Sequence, residues 1–259
     1  MTPEHPLPDT WVNPSVGAVI IGDEILSGKI ADTNSPFLID RLHRHGAKLQ
    51  RLAIVSDDPK DLGREVRACS DAFDVVITSG GIGPTHDDRT MRGIADAFDV
   101  PLLRHPRLID LLRTYGRLGV PINDATLKMA ETPKGAFLVE TDHFPVVRFR
   151  NIFILPGVPE IFRREFAVIS RAFRGTPAIV ERVVLGCYES DVAEELARVH
   201  KSHDLVSVGS YPRNEEGREV VLVTLESQSG AAASAALQDL LHALPEGVVL
   251  RVETEAIPT

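Results

Sequence analysis

Val75-Val76-Ile77-Thr78-Ser79-Gly80-Gly81-Ile82-Gly83-Pro84-Thr85-His86-Asp87-Asp88-Arg89-Thr90 carries a run of β-branched residues into a glycine-dense turn, and Met91, Ile94, Ala95 and Phe98 continue it at helical spacing. This reads as strand, phosphate-sized loop and helix start. Glycines let a backbone approach a ligand with no Cβ in the way, and the free N–H groups of a first helical turn favour an anion. The adjacent carboxylates Asp87 and Asp88 should repel a bare anion. A divalent cation between them and a phosphate removes the conflict, because Mg²⁺-type ions take hard oxygen ligands together with phosphate oxygens.

Working outward, the same order repeats. Val16–Ile21 reads as a buried strand ending at Gly22-Asp23-Glu24-Ile25-Leu26-Ser27-Gly28, so Asp23 and Glu24 fall just past a strand's carboxyl end, where open α/β sheets place ligands. Taken alone, they are equally an acidic turn. Thr33-Asn34 is read as the cap of a helix carrying Phe37, Leu38 and Leu42, which Gly46 closes. A strand over Leu49–Val55 and a helix begun by Asp57-Asp58-Pro59 follow. Strands alternating with helices predict a mostly parallel sheet covered on both faces.

Beyond the glycine loop, helices are predicted over Pro106–Tyr115 and within Pro121–Ala130, where Lys128 is either a phosphate ligand or a solvated surface lysine. Short strands are expected at Phe137–Val139 and Val146–Phe149. Asn151–Leu155 is a further buried strand, leading through Pro156-Gly157-Val158-Pro159-Glu160 into a helix with Ile161, Phe162, Phe166 and Ile169. Two glycine-bearing turns at one sheet edge can face each other across a pocket. Composition shifts after Arg174-Gly175-Thr176-Pro177, and a βαββαβ order follows, so the domains expected are 1–177 and 178–259.

Charge follows that division. Residues 178–259 carry 6 Lys/Arg against 14 Asp/Glu, net −8, whereas residues 1–177 carry 22 against 23, net −1. This balance, with no Gly-x-x-Gly between the first helix and second strand of the second unit, counts against nucleic acid as a partner. No run nears the roughly 20 apolar residues of a membrane span, and Met1–Pro6 does not read as a signal peptide, so a cytoplasmic location without membrane contact is expected. Cys69 and Cys187 are expected to be core thiols, and the first 14 residues an extended arm.

A glycine loop alone is a weak signal. Here it coincides with paired aspartates and with two carboxylates at another strand end. Thr85 and Asp88 also have capping-box spacing, compatible with one carboxylate capping and the other binding metal. His86 suits proton transfer near neutral pH and equally a plain hydrogen-bonding role. No Ser, Cys or Thr stands out beside a matching base, which leaves metal-assisted attack on a phosphate.

Gly22-Asp23-Glu24-Ile25-Leu26-x-Gly28, Asp32-Thr33-Asn34, Gly80-Gly81-Ile82-Gly83-Pro84-Thr85-His86-Asp87-Asp88 and Leu155-Pro156-Gly157-Val158-Pro159-Glu160 together resemble the molybdopterin-binding-like domain of the CinA (competence/damage-inducible) family, which also begins eukaryotic FAD synthases. Pro159–Arg164 and Gly209-Ser210-Tyr211-Pro212 look closest to the FAD synthase version. The resemblance implies a three-layer α/β/α fold of the MoaB/MogA/CinA type followed by a small two-layer subdomain, and by analogy a homo-oligomer.

Activities in the wider family are adenylyl transfer to molybdopterin and metal-dependent hydrolysis of dinucleotide pyrophosphates such as ADP-ribose and FAD. By motif position Asp88 matches the aspartate of metal-dependent phosphate chemistry, and Gly80, Gly81, Gly83 and Thr85 match the loop around the phosphates. Asp87 departs from the basic residue usual in the adenylyltransferases, which disfavours adenylyl transfer. Neither NMN deamidation nor FAD synthesis is expected of this chain.

The expectation is therefore a divalent-metal-dependent pyrophosphatase acting on a dinucleotide or nucleoside diphosphate sugar such as FAD or ADP-ribose. Asp88 and Asp87 are its catalytic residues. Asp88, Asp87, Asp23 and Glu24 hold Mg²⁺, Mn²⁺ or Co²⁺, and Gly80, Gly81, Gly83, Thr85, Asn34, Lys128 and Gly157 contact substrate or phosphate. No redox cofactor is called for. The alternative is a module that binds a nucleotide or pterin without turning it over.

Overall fold

The computed structural model describes residues 10–117 and 122–254. The chain divides into two compact units, one ending at Gly175 and one beginning at Thr176. In the first, β1 (Trp11–Val12), β2 (Ser15–Ile21), α1 (Asp23–Leu26), α2 (Asn34–Arg44), β3 (Lys48–Val55), α3 (Pro59–Ala72), β4 (Val75–Ser79), α4 (Thr90–Ala97), β5 (Leu102–Arg104) and α5 (Pro106–Arg117) lead to α6 (Asp124–Lys128). Then come β6 (Glu131–Pro133), β7 (Phe137–Val139), β8 (Val146–Phe149), β9 (Ile152–Leu155), α7 (Pro159–Ile169) and β10 (Phe173–Arg174).

Six strands form one sheet in the order β3-β2-β4-β9-β8-β7. β3, β2, β4 and β9 are parallel, and β8 and β7 extend the sheet as antiparallel strands. Alternation along each strand sends one set of side chains to each face. Val19, Ile21, Val76 and Ile154 meet α3, α4 and α5 through Leu62, Val66, Ile94 and Leu108. Ala18, Ile77, Phe153 and Leu155 meet α2 and α7 through Leu38, Leu42, Phe162 and Phe166. The result is the expected three layers, with both faces of β2, β4 and β9 buried and β3 as a partly exposed edge.

The carboxyl ends of β2, β3, β4 and β9 share one edge, so the turns after Ile21, Val55, Ser79 and Leu155 gather there. Helix starts fix these turns. Asp58 caps α3 by accepting from the N–H groups of Lys60 at 2.9 Å and Asp61 at 3.2 Å, with Pro59 in the first turn. For α2 the cap differs from the sequence reading. Asp32, rather than Thr33 or Asn34, accepts from the Asn34 and Ser35 N–H groups at 2.9 and 3.0 Å.

Pairs of very short strands, β1 with β10 and β5 with β6, were not apparent in the sequence. Trp11 in β1 packs edge-on against Phe153 and Phe173, at centroid distances of 5.6 and 5.8 Å. The expected arm therefore ends in a docked tryptophan, while residues 1–9 lie outside the described residues. Pro121, expected to open the helix before Pro133, is also outside them, and α6 begins at Asp124.

The second unit runs β11 (Ile179–Leu185), α8 (Ala193–Ser202), β12 (Ser207–Glu215), β13 (Arg218–Ser227), α9 (Gly230–Ala243) and β14 (Val249–Thr254). Its antiparallel sheet has the order β12-β13-β11-β14. This is the βαββαβ order read from the sequence, in a ferredoxin-like arrangement. Val183, Leu185, Val221 and Val223 on one sheet face pack with Leu196 and Val199 of α8 and Leu237 and Leu240 of α9. Cys69 is buried and Cys187 half-buried, and both are free thiols.

Candidate active site

The loop after β4 is forced into shape by what surrounds it. Gly80 has φ +108°, and its N–H donates to the Leu155 carbonyl at 3.1 Å. Gly81 has φ +67°, and its carbonyl accepts from the Thr90 N–H at 3.0 Å. The buried Thr90 hydroxyl closes the other side by donating to the Gly80 carbonyl at 2.8 Å. No acceptor among the described residues takes the N–H groups of Gly81, Ile82 and Gly83. Three consecutive free amides on a glycine-bent loop form an anion-binding concavity.

Asp88 folds back onto this loop. Its Oδ2 accepts from the Thr85 N–H at 2.8 Å and the Thr85 hydroxyl at 2.5 Å. The sequence spacing that resembled a capping box therefore closes a turn instead. The helix starts later, at Thr90. The Thr85 carbonyl accepts from Lys128 Nζ, so Lys128 braces the loop from outside.

Two cavities lie against the loop. One, of about 540 Å³, is lined mainly by apolar side chains including Ile25, Ile30, Met129, Phe144, Val147 and Ile161, with Asn34, Gly157, Glu24 and Glu165 among its polar walls. The other, of about 370 Å³, has Lys128, Arg89, Arg92 and His86 in its lining, with Asp88 and Glu131 as its carboxylates. Gly81, Ile82, Gly83 and Asp88 border both. The loop is thus shared by an apolar chamber and a basic one.

The turn after β9 meets the glycine loop as anticipated. A Cβ on Gly157 would stand 3.3 Å from the Gly80 Cα. Asn34 ties the two together, its Nδ2 donating to Ser79 Oγ at 2.9 Å and to the Gly157 carbonyl at 2.8 Å. The carbonyl partner requires a donor, so the amide orientation is fixed. Both Asn34 hydrogens are spent inside the protein, and its buried Oδ1 has no partner. Asn34 thus holds the turn to the loop through its amide hydrogens and leaves only an acceptor oxygen for a ligand. Gly157 likewise serves through its carbonyl, as a wall.

The acidic residues come from three strand ends. Asp57, after β3, accepts from the Asp23 N–H at 2.9 Å. Burial first, and then the nearby charges of Asp23, Glu24 and Asp87, push the Asp57 carboxyl above its ordinary range. Asp87 is exposed and lines neither cavity. Hydrogen bonding from Thr85 and from its own N–H, with His86 and Lys128 nearby, holds its carboxyl below the usual range.

These oxygens fit a divalent cation in kind, and the repulsion felt by Asp57 is what a cation would relieve. Among the described residues, however, no three His, Cys, Asp or Glu side chains are gathered as a metal site. Substrate oxygens would have to complete any coordination shell.

A family model described as a probable molybdopterin binding domain matches residues 17–174. The chain belongs to the probable molybdopterin binding domain family. A second model, described as the middle domain of FAD synthase, matches residues 177–253. A probable FAD synthase of Caenorhabditis briggsae is 34% identical over 254 residues, covering 86% of this chain and 49% of the relative. A CinA-like protein of Myxococcus xanthus is 32% identical over 232 residues, covering 83% and 55%. The chain thus spans about half the length of these curated relatives. The crystal structure of the protein CinA with unknown function from Thermoplasma acidophilum matches with a TM-score of 0.56 and 29% identity, over 61% of this chain and 96% of that one.

Within this molybdopterin-binding-family unit, the sequence reading missed Asp57 and Glu165. Asp57 stood next to Asp58-Pro59 and was absorbed into a helix start. Its position one turn past the end of β3 was the available signal, the same one that drew attention to Asp23 and Glu24. Glu165 interrupts the apolar line Ile161, Glu165, Ile169 at helical spacing of four, and a lone carboxyl on an inward line was the signal there. Among the described residues no helix is long and apolar enough to cross a membrane.

Proposed function

We propose that the first unit is a divalent-metal-dependent pyrophosphatase acting on a dinucleotide or nucleoside diphosphate sugar such as FAD or ADP-ribose. The observation that carries this reading is the free amide run Gly81–Gly83 on a loop bordered by an apolar cavity on one side and a basic cavity on the other. A ligand with a diphosphate in its middle and an organic group at each end suits that arrangement. The loop amides orient the phosphates, and Lys128, anchored to the Thr85 carbonyl, keeps the loop rigid and adds positive potential.

Asp88, with Asp87, Asp57 and Asp23 or Glu24, would hold the cation together with phosphate oxygens. Bound there, a divalent ion supplies charge neutralisation of the phosphates and activation of water. A water oxygen bonds to one phosphorus, the bridging P–O bond breaks, and two phosphate monoesters leave. Asp88 is positioned for this by Thr85, whose N–H and hydroxyl fix the carboxylate beside Gly83. Adenylyl transfer ranks lower, because Asp87 adds negative charge where a highly anionic acceptor would have to sit.

The test is release of AMP from FAD and from ADP-ribose with Mg²⁺, Mn²⁺ or Co²⁺ added. Asp88→Asn is expected to lower the turnover by on the order of 10²-fold while changing nucleotide affinity only about threefold or less. Folded wild-type protein that turns over neither substrate with any of these ions would sink the reading. One observation favours a second reading, a module that binds nucleotide or pterin without chemistry: among the described residues no three carboxylates are gathered as a metal site. Tight nucleotide binding without turnover, unaffected by metal, would select it.

A further inference from the structure

Glu165 is a carboxyl group of the apolar cavity for which phosphate chemistry has no use. α7 turns Phe162, Phe166 and Ile169 into the core, while Ile161 and Glu165, one helical turn apart, line the cavity. Glu165 is 5% exposed, and among the described residues it makes no hydrogen bond and no ion pair. The walls of the same cavity include Ile30, Met129, Phe144 and Val147.

A leucine would occupy such a position at lower cost, because a buried carboxyl without a hydrogen-bond partner loses its hydration and regains only a weak attraction to Arg164. An unpartnered acceptor in an apolar chamber is compensated when a ligand brings a donor. We propose that Glu165 is the specificity-determining group of this cavity, its carboxyl receiving a ring N–H or exocyclic amino group of a nitrogen heterocycle whose phosphates lie on the Gly81–Gly83 amides. The cavity, about 540 Å³, is of the size that encloses a nucleoside-like group. Its apolar walls suit the faces of a flat ring, and a carboxyl group takes paired hydrogen bonds from an amino-substituted ring edge. This inference rests on the phosphate reading of the glycine loop and adds what stands at the other end of the ligand.

The experiment is equilibrium binding of three probes, inorganic pyrophosphate, ADP and GDP, each with Mg²⁺, to wild-type protein, Glu165→Leu and Glu165→Gln, with Trp11 fluorescence verifying that the unit is folded. At least one nucleotide is expected to bind the wild type roughly tenfold or more tightly than pyrophosphate. Glu165→Leu should remove that advantage while leaving pyrophosphate affinity within about twofold. Glu165→Gln, which keeps one acceptor, should fall between, and it serves alone if the leucine variant does not fold. The proposal is overturned if the advantage survives both substitutions, if pyrophosphate weakens in parallel, or if neither nucleotide outbinds pyrophosphate. A nucleotide that binds through Glu165 while pyrophosphate fails to bind would overturn the phosphate reading of the loop, and with it the placement of the phosphates proposed here, while upholding Glu165 as the group that receives the ring. Failure of all three probes to bind overturns both.

Discussion

Gly80→Ala is expected to destabilise the first unit by about 3 kcal/mol or more and to abolish ligand binding at the loop. Gly80 sits at φ +108°, a region that side chains with a Cβ rarely enter, and an added Cβ would stand 2.2 Å from the Ile21 carbonyl oxygen. That oxygen belongs to β2, which pairs with β4 directly beneath the loop. Neither partner can yield without parting the central strands of the sheet, so the strain of the dihedral and the backbone collision add. The chain has one tryptophan, Trp11, packed on Phe153 and Phe173 in this same unit, so its fluorescence during urea denaturation reports the relevant transition. Gly157→Ala provides the contrast: its Cβ would meet the Gly80 Cα at 3.3 Å, and its effect should be much smaller. An alanine at 80 as stable as the wild type would mean that the loop is not held as described.

Glu165→Gln should do the opposite and stabilise the unit, by an amount that grows with pH. Burial pushes the Glu165 carboxyl up to about 7, from an ordinary value of 4.5, while the neighbouring Arg164 pulls weakly the other way. Between those pH values the folded state keeps a proton that the unfolded chain has released. Stability contributed at low pH is therefore lost as pH rises from 4.5 through 7, and at pH 8 the full penalty, roughly 3 kcal/mol, is present. The glutamine does not titrate. Its advantage over the wild type should be small at pH 4 and approach that figure at pH 8, read from Trp11 denaturation midpoints. Parallel pH profiles for the two proteins would show that Glu165 is not buried as a carboxyl in the absence of ligand. A stabilising substitution that weakens nucleotide binding is the pattern expected where a fold retains a costly group for its ligand.

The sheet and its layers were legible because the signals were local and repeated. Val75–Ser79 and Ile152–Leu155 are short apolar runs ending in glycine or proline turns, and the helices between them bury residues at the expected spacing. β1 with β10 and β5 with β6 were not legible, since two- and three-residue strands exist only through partners distant in sequence. At the site, the sequence placed the glycine loop, Asp88 and the turn at Gly157 along one cavity.

What the sequence obscured was how polar groups divide between protein and ligand. Thr85 and Asp88 looked like a helix start because their spacing is that of a capping box, yet they satisfy each other in a turn, and Thr90 begins the helix. The direction of the Asn34 amide could not be read from the sequence because it depends on Gly157, 123 residues away. Asp57 was hidden by the stronger helix signal of Asp58-Pro59, although its carboxylate turns back to the Asp23 N–H. Lys128 could be placed only once the Thr85 carbonyl beneath it was known.

The most direct test of the account is a crystal structure of the protein with ADP-ribose and Mn²⁺, using anomalous scattering to locate the metal. The account predicts the diphosphate against the N–H groups of Gly81, Ile82 and Gly83, and a manganese peak in contact with phosphate oxygen and at least one of Asp88, Asp87, Asp57, Asp23 and Glu24. Diphosphate density away from the glycine loop, or a nucleotide held there with no metal near any of these carboxylates, would contradict it.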